Sequence, residues 1–267
     1  MSRVHRGLVV LTLLAILGAP LAALHPLAAH LFDAGRPRLP APLENAAAVA
    51  VFMLIGASIL PLASLARIFA RWVRGTTELR TLSESGNRRH TDDEIEFVLL
   101  PSPAVIFFTA GILRPRIYAT TGAMNVLTPL AFRAGLLHER AHQRGRDVAW
   151  RAALAAIERA FSPVPAVRAA VRSLALDCEF AADRAALAAG ARRVDLFDAM
   201  VATSRGVAAS PAAGLAAEGL IPRLTVLADP SAPQPQPKLT ALIVALAALA
   251  LLPITVHTLF WLGAVCL

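Results

Sequence analysis

Charge is what this sequence has least of. Only 16% of its 267 residues are Asp, Glu, Lys or Arg, where a soluble domain of that length carries roughly 25%. The mean hydropathy is correspondingly high, at +0.60. Lysine is nearly missing. Lys238 stands alone, so the formal charge of +8 rests on arginine. The two cysteines, Cys178 and Cys266, are too few for a disulfide framework, and both read as small apolar residues. No nucleic-acid-binding motif accompanies the arginines. They flank apolar runs instead, which suits an anionic membrane surface, and direct nucleic-acid binding is not expected. No internal repeat is visible.

What the sequence does have is long apolar runs. Residues 7–31, 46–70 and 239–267 are each long enough to cross a ~30 Å hydrocarbon core at about 1.5 Å per residue. Arg67, Arg71, Arg74 and Arg80 cluster around the end of the second run, Arg3 and Arg6 precede the first, and Lys238 precedes the third. Positive charge at these positions marks the cytoplasmic side. A cleaved signal peptide ending near Gly18–Ala23 is the alternative for the first run, and it would leave residues 71–238 on the same side. The expected organisation is therefore a multi-pass protein of the cell membrane. It has two N-terminal transmembrane helices with a short outer loop (1–70) and a cytosol-facing domain (71–227). A proline-rich connector (228–238) and a C-terminal transmembrane helix (239–267) follow.

Within the polar middle, Glu94–Leu100, Ala104–Thr109 and Arg116–Ala119 are short β-prone runs set off by Pro101, Pro103, Gly111 and Pro115. They are expected to form a small antiparallel sheet. The pattern turns helical after Thr128-Pro129, a residue pair suited to the N-cap and first position of a helix. That helix is expected to run to about Arg144, with Gly145 after it. Further helices are expected at Asp147–Phe161 and Ala166–Ala189, and shorter pieces over 194–227, broken by Gly206, Pro211, Gly214 and Pro222.

The first of these helices contains His138-Glu139-Arg140-Ala141-His142, an HExxH sequence. Spacing of i, i+4 places both imidazoles on one helix face, where they can grip one metal ion, with Glu139 beside them as the candidate proton acceptor. Zinc lowers the pKa of a water it binds towards ~7, which makes hydroxide available at neutral pH. The bland alternative is a polar patch on a solvated helix. The apolar Ala134-Gly135-Leu136-Leu137 just before the motif argues that it enters the interior. A catalytic zinc takes three protein ligands and keeps one position open. Glu179, in Glu179-Phe180-Ala181-Ala182-Asp183, is the candidate third ligand. Asp183, one turn on, could accept from a ligand histidine's N–H. The alternative for this pair is solvent exposure, or pairing of Asp183 with Arg184. For an oxyanion donor the candidates are Tyr118 and Arg184, with core packing and a surface charge as their respective alternatives.

At these residues the chain resembles the BlaR/MecR-type membrane metallopeptidases, and more distantly the HtpX and CAAX prenyl protease group. The resemblance runs over about residues 96–190. It takes in Phe107-Phe108-Thr109-Ala110-Gly111-Ile112-Leu113-Arg114-Pro115-Arg116-Ile117-Tyr118, then Leu136 to His142, Arg144-Gly145-Arg146-Asp147, and Glu179 to Asp183. It implies a gluzincin in which His138, His142 and Glu179 bind one Zn2+ and Glu139 is the base. It also implies a membrane α+β fold: about three transmembrane helices plus a cytosol-facing zincin-like domain. In that domain a small antiparallel sheet accompanies the helices carrying HExxH and ExxxD. The implied activity is that of a zinc metalloendopeptidase acting on a protein or peptide, with a cytosolic transcriptional repressor as the substrate by analogy. Antibiotic-sensing members carry a penicillin-binding domain after the last span, and this sequence is expected to be a stand-alone form without it. Two other functions stay open here: a weakly proteolytic signalling or scaffold protein, and a quality-control protease of membrane proteins.

Overall fold

The structure, a computed structural model, describes residues 86–91, 95–160, 164–207 and 213–234, with short pieces at 5–15, 18, 63, 66–67, 70, 239–240, 242–244 and 247. Four strands come first: β1 (Asn87–His90), β2 (Glu96–Leu100), β3 (Phe107–Ala110) and β4 (Arg116–Thr120). They form one sheet in the order β1-β2-β4-β3, so β1 and β3 are its edges. The sheet is mixed, which corrects the expectation of an antiparallel one. β1 pairs β2 and β3 pairs β4 antiparallel, but β2 and β4 run parallel, with Val98 opposite Tyr118. The physical reason lies in the connection after β2. Residues 101–106 carry the chain past the neighbouring position to the far edge, and the β3–β4 hairpin then returns β4 into the gap. The crossing segment's backbone is satisfied by the start of the next element: Thr121 Oγ1 accepts from Ser102 N at 3.1 Å, and Thr120 Oγ1 accepts from Ile106 N at 3.1 Å.

Six helices follow among the described residues: α1 (Thr121–Val126), α2 (Pro129–Gly145), α3 (Asp147–Ala160), α4 (Pro165–Ala188), α5 (Arg193–Val207) and α6 (Ala213–Ala228). Strand alternation sends Phe97, Leu99, Ile117 and Ala119 to one sheet face, where they pack with Ala134, Leu136 and Leu137 of α2, Ala186 of α4, Leu196 and Met200 of α5, and Leu227 of α6. The other face carries Val98, Leu100 and Tyr118, with Phe108 beside them. The bare backbone at Gly135 lets α2 lie close to the edge strand. A methyl there would stand 2.9 Å from the ring of Phe107. That close approach brings β3 to the HExxH turn of the helix.

The chain divides into two compact units, and residues 71–152 and 172–237 belong to the one that contains the sheet and the candidate site.

No helix among the described residues is long and apolar enough to cross a membrane. The expected fold with about three transmembrane helices is therefore corrected to a small mixed sheet with helices. The longest described helix, Pro165–Ala188, has the length for a span at 24 residues. It fails on charge, because Arg168, Arg172, Asp177, Glu179, Asp183 and Arg184 all lie within it. The apolar runs 7–31, 46–70 and 239–267 lie, apart from the short pieces named above, outside the described residues.

Candidate metal centre

α2 starts where local chemistry dictates. Thr128 caps it by accepting a hydrogen bond from Ala131 N through its side chain, and Pro129 takes the first position. Its middle is buried on nearly every side, from Ala134 through Glu139 and again at His142. Three polar side chains are thus carried into the interior, where each needs a partner. His138 Nδ1 lies 2.9 Å from Asp183 Oδ1, and His142 Nδ1 lies 2.8 Å from Asp147 Oδ2. The hydrogen bond to Asp147 fixes His142 with its hydrogen on Nδ1, and the Asp183 carboxylate favours the same tautomer at His138 by its charge, so each Nε2 keeps its lone pair.

Those two acceptors face each other at 3.0 Å. Glu179, from α4, brings its carboxylate to the same place: Oε2 is 3.5 Å from His138 Nε2 and Oε1 is 3.6 Å from His142 Nε2. Three electron-pair donors converging on one point are the arrangement that a metal cation takes. The separations also suit one. A tetrahedral zinc with bonds of about 2.0–2.1 Å has ligand–ligand edges of about 3.3 Å. His138, His142 and Glu179 are thus compatible with a metal site on the chemistry and the spacing of their donors. Burial lowers the pKa of His138, partly offset by its bond to Asp183, while the charges of His142 and Arg223 lower it further. A neutral imidazole, the form that ligates, follows at pH 7.

Glu139 points to the sheet edge. The Thr109 hydroxyl on β3 lies 2.8 Å from Glu139 Oε2 and 3.0 Å from the Glu139 carbonyl oxygen, and donates its one hydrogen between them. On the other side, Arg223 of α6 grips Asp183 with two nitrogens, Nε to Oδ2 at 2.8 Å and Nη2 to Oδ1 at 2.7 Å. Burial alone would raise the pKa of Asp183, but the hydrogen bonds from Arg223 and His138 hold it well below the usual carboxylate range. Arg223 Nη1 also lies 2.6 Å from Glu179 Oε2, and Arg151 of α3 pairs with Glu179 Oε1.

Asp147, Thr109, Arg151 and Arg223 are additions to the residues that the sequence singled out for the site. Asp147 and Thr109 had a signal, since both stand in segments that carry the resemblance. Arg223 had a weaker one, as the lone charge within Leu220–Ala228. Arg151 had none beyond its residue type. Two candidates are not brought to the site. Tyr118 is buried on the far sheet face, its ring stacked on Phe108 with centroids 4.8 Å apart. Arg184 is exposed and donates to Gln234 Oε1 at 2.9 Å. Asp183 pairs with Arg223 and His138 rather than with its neighbour Arg184. Cys178, next to the third candidate ligand, is inert, because burial pushes its thiol up to about 11.

Gly145 stands inside the last turn of α2 rather than after it, and Arg146 takes the left-handed position with φ 53°. The glycine is there for room. A methyl at 145 would stand 2.7 Å from Asp147 Oδ1, and that carboxylate is pinned to His142. Gly145→Ala should therefore lower metal affinity by about 10- to 100-fold. The melting temperature should hold or rise, because alanine favours helix by about 1 kcal/mol over glycine. Chelator competition and thermal melting on the same variant read the two effects separately.

The family model described as BlaR1 peptidase M56 matches residues 38–219. No curated protein and no solved structure matches the chain.

Proposed function

This chain belongs to the BlaR1 peptidase M56 family, and we propose on that premise that it is a zinc metalloendopeptidase. The observation that carries the proposal is the convergence of three candidate ligand atoms from His138, His142 and Glu179. His138 and His142 have committed Nδ1 to Asp183 and Asp147, and they aim Nε2 at each other beside Glu179. Bound there, one Zn2+ per chain would supply Lewis-acid activation of a water and of the scissile carbonyl. The rest is work for the chain's own side chains. Glu139 takes a proton from the attacking water and returns it to the leaving amine. Thr109 holds the Glu139 carboxylate in place from β3. β3 is also a sheet edge, so an extended substrate could add to it as a further strand, beside the residue that holds the base.

The substrate in this reading is a protein or peptide, and by resemblance a cytosolic transcriptional repressor. The same reading places the enzyme at the cell membrane, against the lipid bilayer, with its catalytic residues on the cytosolic side. The low overall charge and the arginines bordering the apolar runs support that placement.

Incubating the purified full chain with labelled casein and with candidate repressors tests the activity. Internal cleavage should appear, stop with a zinc chelator and return with added Zn2+. Cleavage indifferent to the chelator would contradict the proposal.

A further inference from the structure

Arg223 is a buried cation beside a place where a second cation belongs. It stands on α6, which supplies none of the three candidate ligands, and beyond the residues 38–219 that the family model matches. Its side chain is 12% exposed, and each of its nitrogens is engaged. Nε and Nη2 grip the two oxygens of Asp183 at 2.8 and 2.7 Å, and Nη1 lies 2.6 Å from Glu179 Oε2. Nη2 also lies 3.4 Å from His138 Nε2 and 3.7 Å from the Met200 sulfur. Asp183 Oδ1 in turn lies 2.9 Å from His138 Nδ1. A single planar fork thus touches the first and third candidate ligands directly, and the first through one carboxylate as well.

We propose that Arg223 is a positioning residue of the metal centre, its fork holding Asp183 and Glu179 so that His138 Nε2 and a Glu179 oxygen aim at one point. The proposal rests on the metallopeptidase reading and deepens it. Charge and geometry pull in opposite directions here, which makes the role decidable. A guanidinium repels a divalent cation and competes for the Glu179 oxygen, so its charge alone weakens metal binding and its removal would tighten it. A positioning fork has the reverse sign: its loss leaves two carboxylates unaligned and weakens binding. Lysine keeps the charge but not the fork, and it is no substitute at a site gripped by two nitrogens. Arg151 supplies the contrast. It meets the other Glu179 oxygen from a position 51% exposed, so it can swing away into water when a metal arrives.

The test is Zn2+ affinity of the purified full chain, measured by competition with a chromophoric chelator. Arg223→Lys is expected to bind Zn2+ about 10- to 100-fold more weakly than wild type, as for other residues that orient ligands. Arg151→Ala is expected to bind it at least as tightly as wild type. Asp183→Asn should lose affinity comparably to Arg223→Lys, and the double variant should lose no more than the worse single one, because the two act through one contact. Should Arg223→Lys fail to fold, Arg223→Gln carries the same comparison: weaker binding supports positioning, tighter binding overturns it. An Arg223→Lys affinity within twofold of wild type, equal losses at Arg151 and Arg223, or a double variant whose losses multiply would each overturn the role while leaving the peptidase reading intact. A wild-type chain that binds no Zn2+ would overturn that reading first, and this role with it.

Discussion

Glu139→Gln should lower the rate of peptide hydrolysis by about 10²- to 10⁴-fold while the bound metal stays. The substitution changes one group. Glutamine has the same length, and its amide oxygen can still accept from the Thr109 hydroxyl, which lies 2.8 Å from Glu139 Oε2. What it cannot do is take a proton from water. His138 and His142 keep their own partners, Asp183 and Asp147, so metal content should not move. The loss belongs in kcat, with KM little changed, because Glu139 handles a proton in the reaction and is not needed to hold the peptide. Steady-state kinetics on a labelled peptide, beside metal analysis of the same sample, read both quantities. Loss of metal together with activity would show instead that Glu139 supports the centre rather than serving as its base.

Glu179→Ala should reduce metal affinity by more than about 100-fold, beyond the range for residues that only orient ligands. Removing this carboxylate takes away one of three donors. It also removes the carboxylate that Arg151 and Arg223 share. Arg223 stays beside the imidazoles, held by Asp183, so lost ligation and a less compensated positive charge act in the same direction. The helix itself should persist, since alanine is a strong helix former and Arg223 keeps its grip on Asp183. Chelator competition on the folded variant measures the drop.

How much of this was legible in the sequence depended on how local the cause was. The start of α2 at Thr128-Pro129 and the end of α4 before Gly190, whose φ is +96°, follow from capping chemistry within a few residues. So does the pairing of His138 with His142, because i, i+4 spacing is a property of the helix alone. The partners are another matter. Thr109, Asp147, Arg151 and Arg223 stand on β3, α3 and α6, and only the packed structure brings them to the ligands. β1 reads Asn87-Arg88-Arg89-His90 and is exposed throughout, so it has no alternation to betray a strand. The parallel pairing of β2 with β4 is likewise a choice of partner, which strand propensity does not encode. Proline signals misled once. Pro222 was expected to break the 194–227 stretch, yet α6 runs through it from Ala213 to Ala228. The loss of one backbone bond there is offset by burial of Leu227 and packing of Leu220 and Leu224 on the core.

X-ray absorption at the zinc edge of the loaded wild-type chain should show one zinc per chain, with two imidazole nitrogens and a carboxylate oxygen among its nearest neighbours. Zinc bound through sulfur, or through fewer than two imidazoles, would contradict that coordination.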